Sequence, residues 1–261
     1  MKLALCQMNV LQGDKAGNRK TAEQMIREAN GNGADVAVLP EMWTCGYDFE
    51  RLEEHAETFN GHTVTLLSGL ARDLNMWIVG GSLPIRYSEG ISNTAVTFNS
   101  DGELVHTYRK IHLIGLMEED KYLLAGDSLS SFDLASTKGA TVICYDLRFP
   151  ELARSTVEKG AKILFVPAEW PMQRQQHWNA LLQARAIENQ MYVAAVNMSG
   201  ENQNDRFIGG SKVIDPWGDI VAEAGADAQI LLADIDLKLA DEVRERVPSL
   251  RDRRPQLYDL L

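Results

Sequence analysis

The sequence has little with which to cross-link itself, cross a membrane or hold a polyanion. Its three cysteines, Cys6, Cys45 and Cys144, are odd in number and lack paired spacing. That excludes a disulfide framework and a C-x-x-C metal or redox motif, and it predicts a reducing compartment. No apolar run approaches the roughly 18 uninterrupted residues a membrane helix needs. The N-terminal MKLALCQMNV carries one lysine, and Gln7 and Asn9 break its apolar stretch before a signal-peptide core could form. It reads as a first buried strand, and a cytoplasmic location is expected. Positive charge is the minority, with 26 Lys and Arg against 37 Asp and Glu for a net −11. A phosphate-binding surface needs the opposite excess, so neither nucleic acid nor a membrane surface is an expected partner. With 20 Gly and 8 Pro there is no linker, repeat or low-complexity tract. What the chain does have is 45% hydrophobic residues over 261 positions, enough for one sizeable core. A single domain over 1–261 is expected, with a charged, aperiodic C-terminal arm from about 244 that ends in Leu257, Tyr258, Leu260 and Leu261 and either packs on its own body or on a partner subunit or stays a solvated tail.

Short β-branched and apolar runs recur, among them KLALCQM, ADVAVLPE, MWIVGGSL, ELVHTYRK, ATVICYD, AKILFVPA and MYVAAVN. Their length and their Gly, Asn, Asp and Pro boundaries suit strands. Helical spacing occupies Asn18–Ala29, Thr63–Leu74, Pro150–Lys159 and Gln175–Asn189. Runs such as VAVL, TVIC and ILFV are apolar at every position, which requires burial on both faces. The expected class is therefore α/β, or layered α+β. Turn signals at Asn99–Gly102 and Asp215–Gly218 predict hairpins.

Three of the strand-like runs end in reactive side chains: VAVLPE in Glu41, VHTYRK in Lys110 and ATVIC in Cys144. In layered α/β folds functional groups gather at the carboxyl ends of strands, so a carboxylate, an ammonium and a thiol are expected to converge. A free thiol needs a neighbouring cation or base to become a competent nucleophile near neutral pH. An ammonium can also hold an oxyanion, and a carboxylate can move protons to a leaving amine. Around the thiol, CYDLRFPEL reads as a strand turning sharply into a helix that opens on Pro150 and Glu151. At such an elbow the N–H of Tyr145 would complete an oxyanion hole with Lys110.

LPE, YRKIHL and CYDLRFPEL, in this order, resemble the nitrilase or carbon–nitrogen hydrolase superfamily. The resemblance continues through AKILFVPAEW, HWNALLQARAIENQMYVAAVN and GGSKVIDPWGDIVAEAG, so it spans nearly the whole chain. It implies a four-layer αββα sandwich, a homo-oligomer, and a Glu-Lys-Cys triad that works with no cofactor and no metal. It also implies an auxiliary glutamate near the lysine. In EEDKYLLAG the spacing to Gly126 selects Glu119 over Glu118. Tyr145 and Asp146 stand where true nitrilases carry Trp and Glu, which points to the Nit-type amidase branch. The expected function is hydrolysis of a small carboxylic acid amide through a thioester with release of ammonia, best as an omega-amidase on 2-oxo dicarboxylic acid monoamides. N-carbamoyl amino acid hydrolysis and deaminated-glutathione amidase activity are the alternatives. Arg148 is the expected partner for a substrate carboxylate, and Trp170 and Tyr145 the expected pocket walls.

Two other readings compete. His112, two residues beyond Lys110 on the same face of an extended segment, offers a Cys144–His112 dyad. A non-catalytic assembly subunit could keep the fold alone. The five histidines show no HExxH or paired ligand spacing, and Gly80-Gly81-Ser82 lacks the rest of a phosphate loop.

Overall fold

Alternation along the strands decides the architecture. In β1 (Lys2–Gln7) Leu3 and Leu5 join one apolar cluster while Ala4 and Cys6 join another. The same split divides Val36 and Val38 from Ala37 in β2 (Val36–Val38). It divides Ile163 and Phe165 from Leu164 and Val166 in β8 (Ile163–Ala168). A strand whose side chains point to opposite faces must be covered on both. Here one face meets the other sheet and the second face meets helices. The computed structural model, which describes residues 1–202 and 205–258, is accordingly the expected αββα sandwich.

The first sheet also contains β3 (Trp77–Arg86), β4 (Ile91–Phe98), β5 (Leu104–Arg109) and the late strand β14 (Gln229–Asp234), in the order β14-β1-β2-β3-β4-β5. The second is built from β6 (Phe132–Leu134), β7 (Thr137–Thr141), β8, β9 (Tyr192–Asn197), β12 (Lys212–Ile214) and β13 (Ile220–Glu223), in the order β13-β12-β9-β8-β7-β6. Each has a parallel core of three strands, β1-β2-β3 and β7-β8-β9, flanked by antiparallel neighbours. A small hairpin, β10 (Ser199–Glu201) with β11 (Arg206–Ile208), stands apart from both.

Helices α1 (Lys15–Gly31) and α3 (His62–Leu74) cover the first sheet through Ala22, Ile26, Val64, Leu67 and Leu70. Helices α5 (Pro150–Glu158) and α6 (Gln175–Asn189) cover the second through Leu152, Trp178, Leu182 and Ala186. The four periodic segments are thus the four covering helices. Asp14 caps α1 by accepting the Gly17 N–H at 3.0 Å, and Pro150 opens α5 at a position where its missing N–H costs nothing. Short helices α2 (Leu52–His55) and α4 (Glu119–Tyr122) sit in connections. Helix α7 (Leu239–Arg246) has no counterpart among the periodic segments, and its last turn enters the stretch from Arg244 read as aperiodic. Its Arg244 donates to the carbonyls of Gln190 and Ala161, and beyond it Arg253 pairs with Glu158. Leu260 and Leu261 lie outside the described residues. Among the described residues no helix is long and apolar enough to cross a membrane.

Candidate active site

Four strand ends meet at one end of the sandwich. Glu41 follows β2 and Lys110 follows β5, both from the first sheet, while Cys144 follows β7 and Glu169 follows β8, from the second. The backbone bends hard where two of them sit. Met42, next to Glu41, has φ 42°, and Cys144 itself has φ 44°, a left-handed conformation costly for a side chain with a Cβ. Cys144 opens a tight helical turn over Cys144–Arg148 that leads into α5, which is the sharp turn read from CYDLRFPEL.

Lys110 is fully buried, and its Nζ donates to Glu41 Oε1 at 2.8 Å, Glu119 Oε1 at 2.7 Å and the Tyr47 hydroxyl at 3.4 Å. Burial alone would lower its pKa, but Glu119 and Glu41 hold it well above the usual range, so it stays an ammonium. Glu41 is bound on both oxygens. Asn93 Nδ2 donates to Oε1 at 2.8 Å and the Glu169 N–H to Oε2 at 2.9 Å. Glu119 places Oε1 on Lys110 and takes the Ile114 N–H on Oε2 at 2.8 Å, and burial raises its pKa against the pull of Lys110. Glu118 turns outward to Lys121, so the buried partner of Lys110 is Glu119.

The Cys144 thiol lies among these groups, with its Sγ 3.9 Å from the Glu169 carbonyl oxygen. Burial first, and then the Glu41 charge, raise its pKa well above the ordinary thiol value; Lys110 opposes them without prevailing. At rest Cys144 is therefore a thiol, and to act as a nucleophile it would need a base to take its proton. Among the described residues His112 makes no hydrogen bond to that thiol. Its Nδ1 is 2.8 Å from Asp146 Oδ1 and its ring stacks on Phe149 with centroids 3.5 Å apart, while the carboxyl groups acting on the thiol are Glu41 and Glu119.

Asp146, which the sequence reading used only to tell the amidase branch from true nitrilases, also braces the site. Buried, it accepts from the Tyr108 hydroxyl at 2.7 Å, the His112 N–H at 3.0 Å and the Ile143 N–H at 3.0 Å, in addition to the His112 ring. It ties the elbow of Cys144 to the segment carrying Lys110. Asp146→Ala leaves those donors unpaired and should cost about 3 kcal/mol or more of stability, read as a lower urea midpoint at unchanged m-value. An unchanged midpoint would remove this bracing role.

A narrow cavity leads to the thiol, lined by Cys144, Tyr145, Arg148, Glu169, Trp170 and Arg174 among others. Tyr47 and Met117 are shared with an outer cleft of about 1020 Å³. The Arg148 guanidinium lies 4.7 Å from the Trp170 ring centroid and 5.8 Å from that of Tyr145. Its nearest side-chain hydrogen-bond partner is His177 Nδ1 at 3.3 Å, so the charge faces aromatic rings rather than a carboxylate. Arg174, Tyr47, Asn93 and Glu169 carry no motif of their own and were missed. Among the described residues no group of three or more His, Cys, Asp or Glu is arranged to hold a metal ion.

The chain is similar to known proteins over nearly its whole length. A family model described as Carbon-nitrogen hydrolase matches residues 2–245. The chain is 43% identical over 256 residues to a 2-oxoglutaramate amidase of Bacillus subtilis, covering 98% of each. It is 35% identical over 266 residues to the omega-amidase NIT2 of Homo sapiens, covering 98% of this chain and 96% of that one. Its fold superimposes with a TM-score of 0.90 and 32% identity on Saccharomyces cerevisiae Nit3, described as a member of branch 10 of the nitrilase superfamily, over 97% of this chain and 96% of that one.

Proposed function

The chain belongs to the carbon-nitrogen hydrolase family, and from that premise we propose that it is an omega-amidase, releasing ammonia from the monoamide of a 2-oxo dicarboxylic acid. The observation that carries the reading is the Lys110 ammonium buried between Glu41 and Glu119 in the pocket of the Cys144 thiol. The names of the two relatives, an omega-amidase and a 2-oxoglutaramate amidase, support the substrate class.

In this reading Cys144 Sγ attacks the amide carbon while Glu41 takes the thiol proton, which lets a group that rests protonated act as a nucleophile. The carbonyl oxygen becomes an oxyanion held by Lys110 Nζ and the Tyr145 N–H. Collapse of the tetrahedral adduct breaks the C–N bond as Glu41 passes its proton to the nitrogen, and ammonia leaves. Water then attacks the thioester, Glu41 serves again as base, and the C–S bond breaks to return the thiol and free the acid. Glu119 positions Lys110 throughout. Arg148 and Arg174 are the cations available to the remote carboxylate of the substrate, and Trp170 and Tyr145 wall the pocket. Exposed apolar side chains at Ile187, Trp217 and Ile220 offer a surface for a second copy, the homo-oligomer part of the proposal.

The test is ammonia release from 2-oxoglutaramate, succinamate, glutamine, an N-carbamoyl amino acid, deaminated glutathione and a simple nitrile. Fastest turnover of the first two is expected. A preference for the carbamoyl or glutathione-derived substrate would keep the chemistry and move the substrate class. Sedimentation velocity on the same sample, if it gave only a 29.1 kDa species, would remove the oligomer.

A further inference from the structure

Glu169 enters the reaction above only through its backbone. Its side chain is 1% exposed, and neither carboxyl oxygen has a hydrogen-bond partner among the described residues. It lines the same cavity as Cys144, Arg148 and Arg174. A buried carboxyl with nothing to bind is costly and calls for a reason. The charged groups acting on it are Glu41, Glu119 and Asp205, which are all acidic, and Lys110, which is already committed to two carboxylates. Burial first, then the Glu41 charge, push its pKa well above the usual carboxylate range, so near neutral pH it is a carboxylic acid with one O–H to donate.

The reacting end of the substrate is already provided for. Its carbonyl oxygen goes to Lys110 and the Tyr145 N–H, and its nitrogen to Glu41. The Glu169 carboxyl, an unspent donor on a residue lining the cavity of the thiol, is left for the other end. We propose that Glu169 is a specificity-determining residue whose carboxyl O–H binds an acceptor oxygen of the substrate, a keto or carboxylate oxygen remote from the amide being cleaved. This rests on the amidase reading. An uncharged acid suits an anionic substrate because it adds no repulsion, leaving Arg148 and Arg174 to supply the attraction. A site built to donate a hydrogen bond discriminates against a ligand lacking the acceptor more strongly than an apolar pocket can.

The experiment compares kcat/KM for succinamate and for butyramide, a primary amide of similar length with a methyl group in place of the carboxylate. Wild type, Glu169→Leu and Glu169→Gln are assayed, with thermal melting and the rate of Cys144 alkylation as checks on the site. Glu169→Leu should lower the succinamate value by about 100-fold and the succinamate-to-butyramide ratio by at least about tenfold. Glu169→Gln, which keeps an N–H donor, should hold that ratio within about fivefold of wild type. Equal losses on both amides, or no loss, would overturn the proposal while the amidase reading stands. Absence of ammonia release from both amides by the wild type would overturn both. Glu169→Ala replaces the leucine variant should that fail to fold, and failure of both to fold would assign Glu169 to structure instead.

Discussion

Cys144→Ala is expected to lower ammonia release by about 10⁴-fold or more while leaving the fold in place. The side chain is nearly buried and small, so its removal costs little packing, and the whole loss falls on the covalent route. The same thiol has a signature of its own in the wild type. Because burial and Glu41 hold its pKa well above the ordinary value, thiolate does not accumulate at neutral pH. Alkylation by iodoacetamide should therefore keep accelerating as the solution is made more alkaline, with no plateau near neutrality. The label reports on one site, since Cys144 is 7% exposed while Cys6 and Cys45 are 0% exposed, each pushed up to about 12 by burial. Turnover above about a hundredth of wild type in Cys144→Ala would end the thioester route. An alkylation plateau below neutral pH would instead show a standing thiolate and take the proton-accepting step away from Glu41.

Lys110→Met should damage stability and rate together. The ammonium is the shared partner of Glu41 and Glu119, and all three side chains are buried. Without it two buried carboxyl groups keep only neutral hydrogen-bond donors and lose the cation they share, which costs about 3–5 kcal/mol, and the oxyanion loses its charged donor, which costs about 10²–10³ in kcat. The two losses can be separated. In Lys110→Met/Glu119→Gln one of the stranded carboxyl groups is neutral, so part of the stability should return while the rate does not. Urea denaturation and single-turnover ammonia release measure the two. A folded Lys110→Met enzyme with undiminished turnover would remove the ammonium from the chemistry.

The covering helices and most strands were legible because periodicity is a local property. Gln175–Asn189 reads as a helix and is α6, and the Asn99–Gly102 and Asp215–Gly218 signals are the turns between β4 and β5 and between β12 and β13. Glu41, Lys110 and Cys144 were legible because each closes an apolar run and each is reactive. Helix α7 was not, since its apolar face is only Leu239, Ala240 and Val243 in eight residues, too short a stripe for a period to register. Asp146 and Glu169 were illegible for a different reason. Asp146 within CYDLRF looks like a turn residue until its donors arrive from Tyr108 and His112, more than thirty positions away. Glu169 in VPAEW looks like the solvated end of a strand until β8 is seen ending inside the molecule beside the thiol. What such residues do depends on which strand ends share a layer, and one-dimensional pattern carries no record of that.

Glu41 and Cys144, the proposed proton acceptor and nucleophile, follow strands of different sheets, and the bond that joins their neighbourhoods, Glu169 N–H to Glu41 Oε2, crosses between them. The spacing on which the reaction depends is thus a joint property of two half-structures, set by how Val38 and Val79 of one seat against Phe165 and Val196 of the other. Close packing makes that seam stiff. Its apolar side chains never meet substrate, yet they gauge the gap across which the proton moves, much as the thickness of a hinge plate sets how a lock and its strike align.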